Sequence, residues 1–166
     1  IPQAGHLISS YAFGVVVGAP VLIAFAAKYP PKKILSYLMI AFVIFNGLSA
    51  LVNDYYTMMI VRFLSGLPHG AFFGVGTVVA TRLAKPGKQA QSIAMMFTGL
   101  TLANLAMVPF VTWLGHQLSW RYAFGVVSVL GLLTLISLKF LLPYMDSLRT
   151  TTLKDELEFF KSAKAW

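Results

Sequence analysis

Arg62-Phe63-Leu64-Ser65-Gly66-Leu67-Pro68-His69-Gly70-Ala71-Phe72-Phe73-Gly74 is the stretch that decides the fold. It lies within an apolar run from about Tyr56 to Leu83, where Arg62 is the one charge before Arg82. A bilayer-spanning helix needs about 20 mostly apolar residues, and this run is longer. A charge at the bilayer centre costs about 2.5–3.5 kcal/mol on insertion scales, so such a residue usually faces a bundle interior or a wet cavity. The competing reading is a shallow Arg62 that snorkels outward past Asp54. His69 follows seven residues later, and two helical turns return it to the same face within about 20°. Ser65 and Gly66 lie between them, so one face carries Arg, Ser and His. His69 reads equally well as a packed structural residue. Gly66, Gly70 and Gly74 recur at spacing four, a pattern that lets helix backbones approach closely.

Four similar runs lie outward from this one: about 6–27, 34–52, 92–114 and 120–142. The whole chain has 166 residues, 58% hydrophobic and 11% charged, against about 25% charged in a soluble domain. One soluble core of this size cannot hide that much apolar surface. The reading is an all-α membrane protein of five transmembrane helices over residues 1–143. The net charge of +8 would suggest nucleic acid in a soluble chain. Here the basic residues fall in short loops, which points to membrane orientation and away from nucleic acid. Lys28, Lys32 and Lys33 form a basic loop after the first run, and Arg82, Lys85 and Lys88 follow the third. Lys139 and the tail add five more, so eleven of the thirteen Lys and Arg residues fall on one side. That side is expected to be cytoplasmic, with Ile1 periplasmic. The chain opens on Ile1 without a basic-then-apolar leader. It therefore reads as a piece of a longer protein whose first helix is missing.

Residues 144–166 differ from the rest. Thr152 and Asp155 suit a capping box, and Leu153, Leu157 and Phe160 share one helical stripe. This predicts a cytoplasmic linker with a short amphipathic helix, against either the membrane surface or protein. Within the spans, Pro20, Pro68 and Pro109 each remove a helix hydrogen bond and predict kinks. The freed carbonyls need partners or a cavity. Gly14 and Gly18, with Ser10, repeat the small-residue spacing in the first helix. Asn104 and Thr101 lie mid-span in the fourth, and Asn46 and Ser49 in the second. Such groups either line a shared interior or tie helices together. Asn104, Thr101 and Ser65 are the candidates for a substrate cavity.

Enzyme chemistry finds no support. No span holds Asp or Glu, and His6, His69 and His116 lack metal-ligand spacing. With no cysteine in the chain, disulfides and thiolate metal sites are excluded. No cofactor is expected.

Arg62 followed four residues later by Gly66 resembles the fourth-helix motif of the major facilitator superfamily. Pro68-His69-Gly70, Gly99-Leu100-Thr101-Leu102-Ala103-Asn104, and Ala4 to Gly14 with Gly18-Ala19-Pro20 narrow it to the arabinose-efflux-permease-like branch of the drug:proton antiporters. The resemblance covers the whole chain. It implies helices two to six of the N-terminal six-helix half of a twelve-helix transporter. The implied function is proton-coupled efflux of a sugar or drug-like compound by alternating access, with Arg62 and His69 in transport or proton coupling. The implied partners are a small-molecule substrate, protons, the lipid bilayer, the first helix and a C-terminal half. The implied location is a bacterial inner membrane. Two positions depart from the family pattern: Ala27 stands in place of the loop Asp, and Val108-Pro109-Phe110-Val111-Thr112 in place of a glycine-rich antiporter motif. Import, or a non-transporting helix-packing module, are the alternatives.

Overall fold

The structure, a computed structural model, describes residues 2–26 and 28–147. Ala27 and the amphipathic stretch from Thr152 to Phe160 lie outside the described residues. Every regular element among the described residues is helical: α1 (Pro2–Ala26), α2 (Pro31–Leu51), α3 (Tyr55–Leu83), α4 (Gln89–Leu102), α5 (Val108–Gln117) and α6 (Trp120–Leu141). A π turn over Ala103–Met107 joins α4 to α5, so that Gln89–Gln117 forms one rod. The result is five helices long and apolar enough to cross a membrane, the architecture of an all-α membrane protein. Several helices outrun their apolar segments. α1 starts at Pro2 rather than near His6, and the rod runs from Gln89 to Gln117 rather than 92–114. Helical hydrogen bonding continues through the polar residues at its ends, where composition alone stops.

Local chemistry sets the helix starts. Asp54 caps α3 by accepting from the Thr57 N–H at 2.8 Å and from the Thr57 hydroxyl at 2.9 Å. The Thr57 backbone bond holds the Asp54 carboxyl below its ordinary range. Ser119 starts α6 by accepting from the Arg121 N–H, and Pro31 occupies the first position of α2, where a missing N–H costs nothing. Gly87 turns the α3–α4 loop with φ at 77°, a conformation that favours glycine.

Two helix pairs organise the bundle. α1 and α3 run parallel in a fixed register: His6 Nδ1 meets the Tyr55 hydroxyl at 2.9 Å and the Ser10 hydroxyl donates to the Met59 carbonyl at 2.8 Å, each pair 49 residues apart. α2 and α6 run antiparallel, pinned at mid-length by the Ser128 hydroxyl donating to the Val43 carbonyl at 3.0 Å. Ala26, Leu35, Val75 and Val79 form a buried cluster near the end where α6 closes, with Phe72, Leu138 and Leu142 packed against it. Most other large apolar side chains are exposed, and the rod from Gln89 to Gln117 buries none of its residues. In lipid, apolar exposure carries no hydrophobic penalty.

The three prolines sit in different helical settings. α1 and α3 continue as α-helix through Pro20 and Pro68. Only the rod changes register: the Val108 N–H reaches the Ala103 carbonyl five residues back. The π turn falls just before Pro109, whose missing N–H and ring clash weaken the α-helical ladder there.

Candidate functional site

α1 and α3 touch backbone to backbone. A Cβ at Gly14 would lie 2.1 Å from the Phe63 carbonyl oxygen, one at Gly18 would lie 2.2 Å from that of Leu67, and one at Gly66 would lie 2.2 Å from that of Tyr11. Gly70 and Gly74 face side chains instead, Ala19 Cβ at 2.8 Å and Ile23 Cδ1 at 2.6 Å. This approach sets side chains of the two helices against each other where ordinary residues would hold them apart.

Arg62 lies one turn above Gly66 and His69 one turn below. The Arg62 guanidinium carbon is 4.3 Å from the centre of the Tyr11 ring and 5.2 Å from that of Phe124 on α6, both within cation–π reach. The Tyr11 hydroxyl is 2.8 Å from His69 Nδ1. The His69 ring also packs near Phe73 at 5.2 Å and Phe42 at 6.4 Å between centroids. Three polar side chains from two helices thus form one chain, Arg62–Tyr11–His69. Arg62 borders a cavity of about 490 Å³ with Leu7, Met58, Trp120 and Phe124, and with Asp54 at its edge. His69 borders a second, of about 470 Å³, with Phe42, Phe73, Met96 and Gly99.

The other candidates lie elsewhere. Ser65 is fully buried and its hydroxyl donates to the Arg62 carbonyl at 2.9 Å. Burial and this bond place the Ser65 hydroxyl in the α3 backbone ladder, beneath Arg62. Thr101 and Asn104 are exposed on the rod, with Asn104 inside the π turn and the Thr101 hydroxyl bonded to Phe97 at 3.4 Å. Asn46 and Ser49 are buried in α2 and bond back to the Phe42 and Phe45 carbonyls. Lys28 and Lys33 are exposed, whereas Lys32 donates to the Lys139 carbonyl at 2.9 Å and to that of Leu142. Tyr11 and Phe124 were not singled out from the sequence. One signal for Tyr11 existed: it precedes Gly14 by three residues and Gly18 by seven, so it shares their helical face. Phe124 left none, because its role depends on where α6 docks.

AraJ of Escherichia coli (strain K12) is 41% identical over 166 residues, covering 100% of this chain and 42% of AraJ. Inner membrane transport protein YdhP of the same organism is 48% identical over 143 residues, 86% of this chain and 37% of YdhP. A Helicobacter pylori (strain P12) protein named a probable sugar efflux transporter is 29% identical over 149 residues, 90% of this chain and 38% of that protein. The chain thus spans less than half the length of these relatives. The profile of the Major Facilitator Superfamily matches residues 1–166. Its five membrane-length helices, its Arg62–Gly66 helix and this end-to-end match place the chain in the Major Facilitator Superfamily.

Proposed function

We propose that this chain is part of a secondary active transporter that moves a small molecule out across a bacterial inner membrane in exchange for protons. The observation that carries this reading is Arg62, a guanidinium held between the Tyr11 and Phe124 rings and bordering a cavity, in a bundle where no helix among the described residues contains Asp or Glu. A cation at that depth is costly, and rings alone offset only part of the cost. The remainder calls for an anion that comes and goes: a carboxylate that loses and gains a proton, on a part of the protein beyond these residues. Arg62 then reads that carboxylate's charge, and His69 extends the polar path through Tyr11. Alternating access between two halves converts the charge change into transport. Asn104 and Thr101, exposed on the rod, are proposed to face the substrate. The name of the Helicobacter pylori relative, a probable sugar efflux transporter, and the neutral polar character of these groups support a sugar or a similar uncharged compound. The basic loops are proposed to face the cytoplasm, residues 1–143 to form the membrane part, and residues 144–166 to form a cytoplasmic linker.

The test is Arg62→Ala in the complete protein, assayed in energised everted vesicles with a panel of pentoses and hexoses. Transport should be abolished while membrane insertion is retained. Arg62→Lys should recover only part of it, because an ammonium lacks the planar fork that pairs with a carboxylate. Normal transport by the Ala variant would refute the reading.

A further inference from the structure

Tyr11 belongs to neither cavity wall, yet it contacts the key residue of each. Its backbone is fixed first: its carbonyl oxygen packs on Gly66 so closely that a Cβ there would lie 2.2 Å away. Gly66 is four residues after Arg62 and three before His69. One ring pinned at that height can therefore reach both. The face takes the Arg62 guanidinium at 4.3 Å from its centre, and the hydroxyl meets His69 Nδ1 at 2.8 Å. Side chains on a helix lean toward its N-terminus, which carries the ring of His69 toward the height of Gly66.

The hydroxyl bond has a direction. His69 Nδ1 is the one partner of the Tyr11 hydroxyl among the described residues. A phenol donates more readily than it accepts. An imidazole nitrogen in turn accepts more strongly than a phenol oxygen, so O–H···N is the stronger of the two arrangements. That order of strengths favours Nδ1 as the acceptor, with the ring proton of neutral His69 on Nε2.

We propose that Tyr11 is a positioning residue that joins Arg62 and His69 into one unit, holding the guanidinium on its ring face and fixing His69 as the Nε2–H tautomer. This rests on the reading of Arg62 and His69 as transport residues. The unit has two separable parts. Tyr11→Phe keeps the ring face and removes the hydroxyl; Tyr11→Leu removes both.

The experiment is nitrogen NMR of the complete protein labelled with ¹⁵N-histidine in lipid, together with the vesicle transport assay. The resonances of His69 are those lost in His69→Gln. In the unaltered protein they should show a bare, hydrogen-bonded Nδ1 and a protonated Nε2. In Tyr11→Phe they should show a mixture of tautomers, and transport should fall by about tenfold, the scale of one lost hydrogen bond. Tyr11→Leu should transport as poorly as Arg62→Ala. An unchanged His69 pattern in Tyr11→Phe overturns the proposal, even if Tyr11→Leu fails to fold. Full transport by a folded Tyr11→Leu overturns it too. The underlying reading fails separately: if Arg62→Ala and His69→Gln both transport normally, coupling is not carried here, while the His69 spectrum still decides whether Tyr11 fixes the ring.

Discussion

One methyl group distinguishes two classes of glycine in this chain. At Gly66, alanine would place a Cβ 2.2 Å from the Tyr11 carbonyl oxygen and 3.1 Å from the Val15 nitrogen, both backbone atoms. Neither can swing away, so α1 and α3 must separate and lose the packing between them. At Gly125 on α6, nothing lies within 4 Å of the added carbon. There alanine gains helix propensity, about 1 kcal/mol relative to glycine. Gly66→Ala should therefore destabilise the protein by roughly 1–3 kcal/mol, the range for overpacking, and Gly125→Ala should leave stability unchanged or raise it. Reversible unfolding in detergent micelles measures both. Equal effects at the two sites would mean that the α1–α3 contact is not backbone-tight.

At the scale of the helix, α2 and α6 hold each other at both ends. Lys32, in the first turn of α2, donates to carbonyls at the end of α6. Arg121, in the first turn of α6, donates to the Val52 carbonyl and the Asn53 side chain at the end of α2. A cation at a helix start opposes that helix's own dipole, but each lies against the negative end of its neighbour, where carbonyls lack partners. Arg82 makes a related contact, donating to the Asp146 carbonyl at 3.0 Å and so holding the chain that leaves α6. Lys32→Met and Arg121→Met should each lower stability by less than about 1 kcal/mol, since these bonds are largely exposed. The double variant should lose their sum within about 0.5 kcal/mol, because the two ends lie too far apart to couple. A large excess over the sum would show that each clamp depends on the other. None of this was legible from the sequence. A lysine in a loop looks the same whether or not a carbonyl lies within reach, and that depends on the antiparallel docking of α2 and α6. The π turn was hidden for a similar reason: Pro109 announces a disturbed helix, but not whether it bends or changes register. The five spans were readable because lipid demands long apolar runs, whatever the packing. Arg62 and His69 were readable as one face of one helix. Tyr11 joins them only through the register of a helix 58 residues away.

For the whole molecule, the ends of the bundle are chemically unlike. Lys28, Lys32, Lys33, Arg82, Lys85, Lys88 and Lys139 lie in or beside the connections at one end, whereas Arg121 is the basic residue near the connections at the other. Translocating a basic loop is disfavoured, so the lysine-rich end is expected to face the cytoplasm. Asp146 is the one acidic residue at that end among the described residues. The chain has no cysteine, which makes single-cysteine labelling direct. Asn53→Cys and Gln117→Cys, both exposed at the Arg121 end, should react with a membrane-impermeant maleimide in intact cells. Lys33→Cys and Pro86→Cys, exposed at the opposite end, should react only after the membrane is opened. The sign of this pattern also decides how Arg62 is approached. Its cavity borders Asn53 and Asp54, so in the expected orientation the guanidinium lies nearer the periplasmic end, the side from which protons would enter in the proposed exchange. The reverse labelling pattern would place Arg62 at the cytoplasmic mouth and would remove the electrostatic basis for reading the transport as efflux driven by proton entry.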